Sequence, residues 1–182
     1  MAYMDLTGID CTEHPNHGGL RSLELIRVSD VSTLPAPIAG KYSSLNPETL
    51  VSRKSWTSYT FERFSGSLKV SPSQSPNGPS YQYELSLFMH KVEYELMHEI
   101  NKLQRGHYLL KTLDYNQVRL LLGSLINPVR FTAAGEIATD KGGQNGFSWT
   151  LRWKTLYQAP VLGVSDLAGI NHDIIEDTLI VY

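Results

Sequence analysis

The 182-residue chain has the length of one domain, with enough residues for a sizeable core and for extended arms. Its 41% hydrophobic and 19% charged residues exclude a disordered or fibrous protein, and a net charge of -2 without a basic stripe argues against gripping a phosphate backbone as its main task. One cysteine excludes an internal disulfide and fits a reducing compartment, while the absence of a leader-like start or of a run near 18 apolar residues implies a soluble, unexported chain without a membrane partner.

Residues 1–19 are polar and turn-rich and read as an N-terminal arm. Within it Cys11, His14 and His17 stand at three-residue intervals. Zinc takes four tetrahedral ligands, or three plus water, usually from rigid and well-separated positions, and Pro15 biases His14 towards an extended backbone. With no fourth ligand visible, the stretch reads as surface arm and no metal is assigned.

Leu20 to Val31 reads as a first strand whose alternation fails around Leu25 and Ile26. Thr33 to Thr49, with Pro35, Pro37, Gly40 and Pro47, reads as a long loop, and loops of that length are usually functional or tied down. Lys54 to Phe64 and Ser67 to Val70 have strand composition, and Ser71 to Ser80 (SPSQSPNGPS) reads as a flexible loop.

The clearest strand signal is Tyr81 to His90, where Tyr81, Tyr83, Leu85, Leu87 and Met89 share one parity and Gln82, Glu84 and Ser86 the other. The period then changes: Val92, Leu96, Ile100 and Leu103 mark one amphipathic helix near 92–105, with Gly106 expected to cap it in a positive-φ conformation.

His107 to Leu113 and Gln117 to Leu122 flank a turn at Asp114-Tyr115-Asn116 and read as a hairpin. Asn127-Pro128 turns into a strand over Val129 to Ala134, and the turn cluster Gly142 to Gly146 feeds Phe147 to Tyr157. There Phe147, Trp149, Leu151, Trp153 and Tyr157 share a parity opposite Ser148, Thr150, Arg152 and Lys154. Residues 163–182 read as a C-terminal arm or an added strand. The expected fold is therefore mainly β, an antiparallel sandwich or partly closed barrel over 20–162 with one inserted α-helix and extended terminal arms.

Catalytic patterns are missing. His98-Glu99 begins a zinc-protease motif whose second histidine would fall at Lys102, and neither a G-x-S-x-G elbow nor a phosphate loop occurs. Asp173, Glu176 and Asp177 lack the spacing of a calcium loop. The aromatic sets Tyr81/Tyr83 and Phe147/Trp149/Trp153/Tyr157 would need more flanking cations to stack single-stranded nucleic acid, so core packing is expected. No catalytic residue, cofactor or metal is assigned, and the chain is not expected to be an enzyme.

A strand (YQYELSLFM), a helix (VEYELMHEINKLQRG), a hairpin (HYLLKTLDYNQVRLLLGS) and the closing run PVRFTAAGEIATDKGGQNGFSWTLRW follow one another over residues 81–160. In this element order, and in Leu122-Gly123, Pro128 to Thr132, Asn145-Gly146 and the last aromatic strand, the chain resembles tail tube and tube-related structural proteins of long-tailed bacteriophages. The resemblance implies a non-enzymatic virion protein, assembled in the host cytoplasm, whose copies form rings, usually hexamers. The rings stack into a DNA conduit that also meets other tail or connector proteins. It implies wet strand faces, Ser148, Thr150, Arg152 and Lys154 with Gln82 and Glu84, turned to a channel through which DNA passes transiently and without specific binding. A tail after Gly163 longer than a minimal tube subunit needs leaves tube, terminal, completion and adaptor roles open. A capsid accessory protein and a small-ligand β-barrel lined by the aromatic sets are the alternatives.

Overall fold

The computed structural model describes residues 18–60, 65–75, 78–90, 93–136 and 146–163. In chain order these hold β1 (Leu20–Arg27), a 3-10 turn (Val28–Asp30), β2 (Val31–Thr33), β3 (Lys41–Tyr42), β4 (Thr49–Leu50), β5 (Thr57–Thr60), β6 (Gly66–Ser75) and β7 (Gly78–His90). The helix α1 (Tyr94–Leu103) follows, then β8 (Tyr108–Asp114), β9 (Arg119–Leu122), β10 (Arg130–Glu136), β11 (Gly146–Thr155) and β12 (Val161–Leu162). The expected N-terminal arm up to His17, the C-terminal arm from residue 164, Phe61 to Phe64, Val92 and the turn residues Gly142 to Asn145 lie outside the described residues.

Two sheets face each other as a sandwich, and the open strand orders close no barrel: β3-β12-β9-β8-β1-β5 in one, β10-β11-β7-β6 in the other. The parity read from the sequence decides which side chains meet. Tyr83, Leu85 and Leu87 of β7 and Trp149, Leu151 and Trp153 of β11 lie opposite one another in register and point inwards, against Leu23 and Leu25 of β1, Leu110 of β8 and Leu122 of β9. Each such leucine, fully withdrawn from water, contributes about 1.5–3 kcal/mol to folding. The helix connects one sheet to the other, burying Ile100 and Leu103 against the same core.

The broken alternation of β1 has two causes. A register shift between Leu20 and Ser22 lets Leu20 and Leu23, three residues apart, share the inner face. Further along, both faces are covered: Leu25 enters the main core, while Ile26 packs with Val31 and Leu109 on the opposite side. That side is covered by Leu34, Leu50 and Trp56, within and just past the segment expected to be a long loop. The segment is tied down by the two-stranded β2–β4 sheet, by β3 joining β12 in parallel, and by Tyr42 packing with Leu121 and Leu162.

Three expectations are corrected. Ser71 to Ser75 and Gly78 to Ser80 are paired strand residues and not loop, with β6 and β7 in unbroken register from Gly66↔Leu87 to Ser75↔Gly78. Pro72 and Pro79 are tolerated because β6 is an edge strand and Pro79 lies beyond Tyr81↔Thr155, the last pair of β7 with β11. Gly106 is absent from the positive-φ glycines; its small size is what matters, since a Cβ there would run into the Tyr108 ring. Tyr157 does not share the burial of Trp149 and Trp153, because β11 ends at Thr155 and leaves it 79% exposed.

Candidate functional site

The six polar residues singled out in the sequence converge. Antiparallel pairing of β11 with β7 sets Thr150 opposite Ser86, Arg152 opposite Glu84 and Lys154 opposite Gln82, all on the outer face of the four-stranded sheet together with Ser148. The neighbouring strands extend these rows to Ser67, Lys69 and Ser71 on β6 and to Thr132 and Arg130 on β10. Arg152 Nε donates to Glu84 Oε2 at 2.8 Å across the strands, and the Thr132 hydroxyl donates to the Thr150 carbonyl at 3.2 Å. The face is wet, rich in hydroxyls and modestly positive, with Lys69, Arg130, Arg152 and Lys154 to one acid, Glu84. Its central ion pair is exposed and adds at most about 1 kcal/mol.

The aromatic sets are mostly core. Trp149 is 1% exposed and meets Tyr59 and Phe131 edge-on, at centroid distances of 5.4 and 5.1 Å. Tyr83 packs against Trp153 at 5.4 Å and accepts a hydrogen bond from the Ala159 amide at 2.7 Å. A base could not stack on rings held this way.

No cluster of three or more histidines, cysteines or acids occurs among the described residues. Cys11, His14 and His17, like Asp173, Glu176 and Asp177, lie outside them. His98 is exposed and stacks flat on Tyr94, and Lys102 pairs with Glu99 at 3.7 Å, as solvated helix residues do.

Beneath the loop layer lies a buried charge that the sequence did not announce. Lys111 Nζ donates to Glu48 Oε1 at 2.8 Å and to Asn46 Oδ1 at 2.7 Å, and stands 4.1 Å from the Trp56 ring centroid. Trp56 Nε1 donates to the same Glu48 oxygen at 2.6 Å. This cluster ties residues 46–56 to β8. Around it, burial and then Glu48 raise the Tyr42 phenol above its ordinary value. Burial and then the hydrogen bond to Glu99 Oε1 raise Tyr59 strongly.

At one end of the sandwich two hollows flank the turn Ser124 to Asn127. One, of about 770 Å³, is walled by Leu34, Pro37, Leu125, Trp153 and Leu156, with Lys154 the only charged residue among the described ones that line it. The other, of about 750 Å³, brings together Arg27, Arg105, His107 and Arg130. Ile126 lines both and is 97% exposed. That exposure is built in. Gly123 turns the chain at φ +95°, the Asn127 amide is held by Ser124 Oγ at 2.9 Å, and the Asn127 carboxamide nitrogen donates to the Lys154 carbonyl at 2.6 Å. The signal in the sequence was the apolar pair Leu125-Ile126 placed directly before Asn127-Pro128, where a turn needs no apolar side chains.

Compared with family models, with curated proteins and with solved structures, the chain matches none. Among the described residues no helix is long and apolar enough to cross a membrane.

Proposed function

We propose that this chain is a non-enzymatic virion structural protein: a ring-forming subunit of a bacteriophage tail tube, or the related terminal or completion protein, with copies of itself and other tail or connector proteins as partners. The observation that carries this reading is the β6–β7 hairpin. Beyond Tyr81↔Thr155 the hairpin runs on without β11 beside it, and Ser71 to Gln74 are exposed. Ordering each of those residues costs on the order of 1 kcal/mol, which contacts with a neighbouring subunit would offset.

The outer face of the four-stranded sheet suits a lumen. Rows of serine and threonine hydroxyls, an Arg152 neutralised by Glu84, and Lys69, Arg130 and Lys154 dispersed over three strands offer DNA a hydrated surface with too little charge in one place to hold it. Sedimentation velocity and mass photometry of the purified full chain test the reading. Closed oligomers, with hexamers or their stacks dominant, are expected; a single-chain species persisting at high micromolar concentration overturns it.

A further inference from the structure

The two end hollows ask for one occupant with two chemistries. An apolar ligand would fill the first and leave Arg27, Arg105 and Arg130 facing water. A polyanion would satisfy the arginines and leave Ile126 and the apolar walls uncovered. Because Leu125, Ile126 and Asn127 line both hollows, they form one continuous surface, acid-seeking on one side and apolar on the other.

The chain itself contains a segment with that division. Residues 173–182, outside the described residues, read DIIEDTLIVY, with its three acids, Asp173, Glu176 and Asp177, all in the first half, beside Ile174 and Ile175, and the uncharged run Leu179, Ile180, Val181 and Tyr182 in the second. The ten residues after Gly163, 164–173, span at most about 35 Å, a length that lets the segment leave its own subunit. We infer that residues 173–182 of one copy dock on the end surface of the next, acids against Arg27, Arg105 and Arg130, apolar side chains in the cleft beside Ile126. The inference rests on the self-assembly proposed above and adds a second contact to that of the β6–β7 hairpin. Lys102, which shares a further hollow with Arg27 and Arg105, then lies near the incoming carboxylates.

The test uses the full chain. The R105E/R130E and E176K/D177K variants, each checked for an unchanged melting temperature, should each weaken self-association at least tenfold, and mixing the two should restore it. In a mixture of heavy- and light-isotope chains, carbodiimide should couple Lys102 to Asp173, Glu176 or Asp177 of the other isotope. Wild-type association that persists unchanged in both variants overturns the inference and leaves the assembly reading standing. Couplings confined to one isotope overturn docking between copies. Retention of duplex DNA that R105E/R130E abolishes, with association unchanged, makes the hollow a phosphate site instead and also overturns it. Failure of the wild-type chain to self-associate at all refutes the assembly reading itself.

Discussion

Lys111 and Glu48 show how much one pair of side chains decides. Their side chains are 8% and 2% exposed, so removing one partner strands a charge in the loop layer. Lys111→Met should cost about 3–5 kcal/mol in urea unfolding, and the double change Lys111→Met/Glu48→Leu should cost less than the single one. The raised tyrosines set a pH limit. Tyr42, Tyr59 and Tyr108 hold their protons above the ordinary value near 10, chiefly through burial, so above that pH the unfolded chain binds fewer protons than the folded one. Their contribution is complete below about pH 10 and falls as pH rises beyond it. Unfolding free energies measured from pH 8 to 11 should decline along the alkaline arm, and Tyr59→Phe should flatten that decline. Neither feature was legible in the sequence, because a lone lysine in YLLKTLD says nothing of an acid 63 positions away.

Among the elements, those with a strong period were the legible ones. The parity of β7 and β11 and the helical spacing of Leu96, Ile100 and Leu103 survive into the structure, because each buries one face only. β1 was blurred by being covered on both sides. Ser71 to Ser80 misled because its serines and prolines have turn chemistry, whereas pairing across the hairpin sets its conformation. That extension should matter to assembly far more than to folding. Replacing residues 73–80 by Asn-Gly, a two-residue hairpin turn, should change stability by about 1 kcal/mol or less and abolish higher oligomers in sedimentation. A matched loss of melting temperature would instead make the hairpin part of the fold.

For the whole molecule, the sandwich class was legible from alternation and turn chemistry, but the convergence of Gln82, Glu84, Ser148, Thr150, Arg152 and Lys154 needed the β7–β11 register. The arginine side of the end surface was illegible for the same reason: Arg27, Arg105 and Arg130 come from three separate elements and meet only in three dimensions. The central claim is that this fold meets copies of itself with the outer sheet face turned inwards to a lumen. Nanogold coupled to Ser148→Cys in a Cys11→Ser background, viewed by electron microscopy, tests it most directly. Rings with the label in the central hole are expected; label on the outer rim, or compact single particles without rings, would contradict it.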